Sequence, residues 1–141
     1  MQSFFSKNEA DREDISSQVE SLCKSLTYIS ETDAPIVYFS GPNTGDVNAD
    51  LILEYAGGNR ERPVVEVSLD DFFGRLTAVK EWFDESRTAR AKKFLELRRL
   101  LEESLTALCV YKIGEIQIEI FIAGIDKSGR LAGVRTRAVE T

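Results

Sequence analysis

The sequence predicts an α+β domain. Apolar residues recur at helical spacing in two long stretches, and β-branched runs crowd the last third of the chain. The turns between those last runs are too short for anything but antiparallel pairing, so a sheet forms there and helices must cover its apolar face. At 141 residues the chain is long enough for one domain with a proper core, and residues 1–141 are expected to form it.

The elements follow in order. After a polar lead over residues 1–8, expected to be disordered, Ile15, Val19, Leu22, Leu26 and Ile29 form one stripe at steps of four and three. That spacing predicts an amphipathic helix starting near Asn8 or Asp11 and ending near Thr27. Pro35-Ile36-Val37-Tyr38-Phe39 reads as a strand, stopped by the turn formers Ser40 to Gly45. Asn48 is a good N-cap for a short helix carrying Leu51, Ile52 and Tyr55, closed by Gly57-Gly58. Val64 to Val67 is a second strand. Ser68-Leu69-Asp70-Asp71 has capping-box form, and it assigns both aspartates to capping a helix that buries Phe72, Phe73 and Leu76. The longest helix spans about residues 86–106, with Phe94, Leu97, Leu101 and Leu105 on its core side. Cys109 to Ile113 and Glu115 to Ile122 are strands joined through Gly114. Asp126-Lys127-Ser128-Gly129 turns the chain into a last strand from Leu131 to Glu140. Isoleucines alternating with Gln117 and Glu119 give the sheet one buried face and one wetter one.

Composition removes several function classes. Apolar residues are 43% and charged residues 30%, ordinary for a folded globular chain. The net charge of -6 disfavours direct binding of nucleic acid or of an anionic membrane, and favours basic partners. The basic residues of the long helix are mixed with glutamates and lack interleaved aromatics, so they read as a solvated face. There is no histidine, which removes the commonest general base and metal ligand. Cys23 and Cys109 are far apart and read as reduced, buried hydrophobes, and no zinc set or protein-bound cofactor is expected. The N-terminus lacks a signal-peptide core and no run spans a bilayer, so the expected location is the cytoplasm and the expected free state a monomer.

The candidate chemistry lies in carboxylates, one tryptophan and the last residue. Glu31 and Asp33 sit in the connection after the first helix, and Glu81, Asp84 and Glu85 surround Trp82, the single tryptophan. Paired carboxylates could support metal-assisted hydrolysis, but only where they converge, and the spacing shows no convergence. Trp82 is either half-buried packing or an exposed anchor. Thr141 follows a strand directly. Its hydroxyl and terminal carboxylate beside Glu140 would make an all-oxygen cluster suited to a hard divalent cation; the plainer alternative is a strand that simply ends there.

These residues also carry a resemblance. Asp71-Phe72-Phe73-Gly74-Arg75, Glu81-Trp82-Phe83-Asp84-Glu85 and Lys93-Phe94 are joined by Val110-Tyr111-Lys112-Ile113-Gly114-Glu115, Gly124, and Gly129-Arg130-Leu131-Ala132-Gly133-Val134. With the closing Val139-Glu140-Thr141, and Ser30-Glu31, Pro35 and Phe39 upstream, the chain resembles the nuclease A inhibitor (NuiA) family. The resemblance implies an α/β/α sandwich on a mainly antiparallel sheet. It also implies a non-enzymatic inhibitor of a Mg²⁺-dependent, sugar-non-specific endonuclease of DNA and RNA. By the same resemblance Glu31, Glu81, Trp82, Glu140 and Thr141 would bind the nuclease, with Thr141 reaching the nuclease's own metal in the complex. Glu81 stands where the family carries aspartate. The alternative is the same scaffold serving as a binding module for an unrelated protein.

Overall fold

The computed structural model describes residues 16–141. The lead over residues 1–8, expected to be disordered, and the helix start expected near Asn8 or Asp11 lie outside the described residues. Helix α1 is described over residues 16–23 and is followed by a short hairpin, β1 (Thr27–Ile29) with β2 (Asp33–Pro35). Then come β3 (Val37–Asn43), α2 (Ala49–Tyr55), β4 (Val64–Val67), α3 (Leu69–Thr77), α4 (Glu85–Ser104), β5 (Thr106–Ile113), β6 (Gln117–Ile125) and β7 (Arg130–Val139). The main sheet has five strands in the order β3-β7-β6-β5-β4, every neighbouring pair antiparallel. The α+β expectation holds.

Strand alternation builds a separate core on each face of this sheet. Ile118, Ile120, Ile122, Ala132 and Val134 point to one side, where Val19 and Cys23 of α1, Phe72 and Phe73 of α3, and Phe94, Leu97 and Leu101 of α4 cover them. Tyr111, Ile113, Phe121, Ala123 and Leu131 point to the other, under Ile52 and Leu53 of α2. The result is three layers, helices on both faces of the sheet. The wetter face expected from Gln117 and Glu119 is therefore wet only at one end: beyond Glu119 the same face is buried at Phe121 and Ala123 because α2 sits on it. Gly133 holds the centre together by absence. A Cβ there would lie 1.9 Å from the Ile122 carbonyl oxygen of the paired strand, so any side chain would force β6 and β7 apart.

Several boundaries move from the sequence reading. The first stripe does not continue as helix to Thr27, because Ser25 N–H and Leu26 N–H donate to carbonyls only three residues back and the Ser25 hydroxyl takes the Leu22 carbonyl. Leu26 stays buried, but Ile29 falls in β1 and is half exposed. The expected turn at Ser40 to Gly45 is mostly strand: β3 runs through Gly41 and Pro42 to Asn43 with a register shift. Proline is tolerated there because β3 is an edge strand. The long helix ends at Ser104 rather than residue 106, and Thr106 already pairs with Ile125. Caps at Asn48 and Ser68 form as expected, accepting from the amides of Leu51 and Asp71. Asp70, which sequence reasoning assigns to capping, instead pairs with Arg98 of α4 and ties α3 to α4. Among the described residues no helix is long and apolar enough to cross a membrane.

Candidate functional site

The short hairpin exists at this edge of the molecule because Ser30 fastens it to the end of β7. The Ser30 hydroxyl donates to the Thr32 carbonyl at 2.9 Å, closing the turn, and accepts the Val139 amide at 3.0 Å. The Glu31 amide in turn donates to the Val139 carbonyl at 3.3 Å. A further tie comes from the Thr136 hydroxyl, which donates to the Pro35 carbonyl at 2.9 Å. Two segments more than a hundred residues apart in sequence therefore run side by side.

That pairing brings Glu31 and Thr141 together. The Glu31 carboxylate accepts the Thr141 amide at 2.6 Å and the Thr141 hydroxyl at 2.8 and 2.9 Å from its two oxygens. Both residues are exposed, so the clasp sits at the surface and not in the interior. Glu140 is held from the other side. Its amide donates to the Ile116 carbonyl in the β5–β6 turn at 3.0 Å, and its carboxylate lies 3.7 Å from Lys112 Nζ. The last two residues lie outside β7 but are not loose.

Beside this tail opens a cleft of about 580 Å³, floored by Tyr28 and Phe72 and flanked by Ile29, Arg75, Leu76 and Val139. Tyr28 stacks on Phe72 with ring centroids 5.9 Å apart. Burial pushes the Tyr28 hydroxyl up from its usual value, Glu140 adds to the rise, and Arg75 opposes it. Tyr28 therefore stays a neutral hydrogen-bonding group and is no candidate base.

Trp82 lies in the connection between α3 and α4 and is 70% exposed. It meets Phe83 edge to face at 4.8 Å, and the Arg87 guanidinium stands over its ring at 5.6 Å. It is an exposed ring on a shaped loop, not core packing. Glu81 beside it is exposed as well. Neither lines the Thr141 cleft, although Arg75 and Leu76 at the end of α3 do. Asp84 caps α4 through the Arg87 amide at 2.8 Å. Asp33 faces other clefts, one of them shared with Arg62, Glu119 and Arg137, so it is not joined to Glu31 in one site. Among the described residues, no three His, Cys, Asp or Glu side chains converge as a metal cage.

Sequence reasoning named Ser30 and Lys112 only within the resemblance and gave neither of them a part in assembling this tip. Ser30 two positions before Thr32 carries the signal of a hydroxyl-closed turn, but nothing local says that it also binds β7. Lys112, paired to Glu140, carries no local signal of that pairing beyond its charge.

A family model described as nuclease A inhibitor-like protein matches residues 13–141. The chain belongs to that family. No curated protein matches it. The nuclease A inhibitor family is a family of inhibitors, which points to a nuclease-inhibitor role in general and to a protein partner. The clasped tail, the Glu31 turn and the Trp82 loop all fall within the matched residues.

Proposed function

We propose that this chain is a stoichiometric, non-catalytic inhibitor of a Mg²⁺-dependent, sugar-non-specific endonuclease, acting from the cytoplasm of the cell it protects. It blocks the active site with the tail that ends in Thr141. The observation that supports this most is the clasp: one exposed carboxylate orders the backbone and the side chain of the last residue together.

The chemistry suits the task. Because the Thr141 hydroxyl donates its hydrogen bond to Glu31, the oxygen's lone pairs stay available to an outside acceptor of electron density. A free α-carboxylate at Thr141 would be ionised at neutral pH and would resemble a phosphate oxygen in charge. Both are hard oxygen donors of the kind Mg²⁺ takes. The metal belongs to the nuclease, and this chain supplies only oxygens to it. An enzyme that grips nucleic acid presents Lys and Arg in its cleft, so a partner of net charge -6 is attracted to it at long range. Glu31 and Glu140 then meet the cationic walls, while Glu81 and the exposed Trp82 ring engage the rim.

Titration of a Mg²⁺-dependent non-specific endonuclease on plasmid DNA tests the proposal. Residual activity should fall linearly to near zero at an equimolar ratio. Turnover of nucleic acid by the chain alone, or no inhibition across a panel of such enzymes, would refute it.

A further inference from the structure

The tail has an unassigned companion. The β5–β6 turn puts Ile116 against it, with the Ile116 carbonyl accepting the Glu140 amide, yet leaves that residue 57% exposed. An isoleucine at a turn tip is usually free to be polar, and single exposed apolar residues are common. Two features set this one apart. Ile29, two residues before Glu31, is 50% exposed and lines the cleft beside Thr141, so the hairpin and the β5–β6 turn that hold the tail each carry an exposed aliphatic residue. The turn carrying Ile116 is also braced from behind. Arg62 donates to the carbonyls of Ile113 and Gln117 at 3.1 and 3.4 Å, and the Gly114 amide donates to the Pro63 carbonyl at 2.9 Å. Gly114 has φ +111°, and a Cβ there would stand 2.2 Å from the Gln117 carbonyl oxygen. So tight a turn presents its tip with little freedom left to lose, which is what an anchor residue needs.

Building on the inhibitor reading above, we propose that Ile116 is a second anchor for the nuclease, seated on an apolar patch at the lip of the cationic, metal-bearing cleft that the Thr141 tail enters, with Ile29 packing on the opposite lip. Charge complementarity commits the occupant. Glu115 beside Ile116 and Glu31 beside Ile29 give each aliphatic anchor an acidic neighbour, the pattern of an apolar contact rimmed by charges matched to a basic partner. Fixed distance from the tail gives Ile116 its role, since the Glu140–Ile116 hydrogen bond sets how deep the tail stands when the turn seats.

The test compares Ile116→Asp, Ile116→Leu, Leu95→Asp and a chain lacking Thr141, all checked for native circular dichroism and melting temperature. Each is titrated against whichever enzyme, from a panel of Mg²⁺-dependent non-specific endonucleases, the native chain inhibits. Leu95, 56% exposed on α4, controls for the loss of any surface aliphatic. Ile116→Asp should weaken inhibition at least tenfold, with Ile116→Leu and Leu95→Asp near native. Native-like inhibition by Ile116→Asp, or equal losses in Ile116→Asp and Leu95→Asp, would overturn the Ile116 anchor. If inhibition is lost without Thr141 in the same experiment, the inhibitor reading survives that failure. If the chain lacking Thr141 inhibits as well as the native one, the tail mechanism itself is wrong.

Discussion

Replacing Glu31 by alanine removes both oxygens that hold Thr141. In a protected site, hydrogen bonds to a charged group contribute about 1.5–3 kcal/mol. Here both partners are exposed and water competes, so the clasp as a whole is worth roughly 1 kcal/mol. Since each 1.4 kcal/mol is a factor of ten, the clasped population should fall about fivefold relative to the unclasped one. An inhibitor whose binding-competent state is depleted loses apparent affinity in proportion. Loss of the clasp alone therefore weakens inhibition by about fivefold at most. If Glu31 also meets a desolvated cation of the nuclease, a further 2 kcal/mol or more is lost, about thirtyfold on top of the first effect. Glu31→Gln separates the two contributions. Its amide oxygen can still accept the Thr141 amide but carries no charge, so Thr141 should remain largely ordered while inhibition drops nearly as far as in Glu31→Ala. Nuclease titration reads the affinity, and amide hydrogen exchange with ¹⁵N relaxation at Thr141 reads the tail. Native affinity in Glu31→Ala, with Thr141 as ordered as before, would refute the reasoning at both steps.

Two further outcomes follow from the fold. Gly133→Ala should destabilise by more than about 3 kcal/mol, because its Cβ meets backbone at 1.9 Å and cannot be relieved by a rotamer change; urea unfolding checks it, and a near-native midpoint would contradict the close strand approach. Burial, with Glu20 adding to it, pushes the Cys23 thiol from 9.0 up to about 11. The folded state therefore keeps a proton that the unfolded chain gives up, and the associated stability is complete below pH 9 and lost as pH rises from 9 to 11. Cys23 should resist thiol reagents at pH 8, and Cys23→Ala should flatten the alkaline decline in stability; a decline of unchanged steepness would place its origin elsewhere.

The sequence reading went furthest where local chemistry decides structure. Asn48 and Ser68 are caps because their short oxygens reach amides three residues on, a contact set within one turn of chain. The isoleucine alternation of β6 was legible for the same reason. What failed was decided by partners distant in sequence. Phe121 and Ala123 are buried because α2 lies on them, which no period in β6 announces. Pro42 reads as a turn residue until β3 is known to be an edge strand. The site shows the same division. Thr141, Glu31 and Trp82 could be named from residue type and resemblance, whereas their spatial relation could not. Ser30 joins the first two across 109 positions, and Trp82 stands on a separate loop that follows α3, whose Arg75 and Leu76 line the cleft beside the tail.

The most direct measurement compares nuclease inhibition by the native chain with that by a chain carrying two glycines after Thr141. Both residues that clasp remain in place, as does the -6 surface, and only the terminal carboxylate is moved. Entry of a free chain end into the nuclease's metal site predicts a loss of inhibition of at least a hundredfold with an unchanged melting temperature. Equimolar inhibition by the extended chain, indistinguishable from the native one, would contradict it.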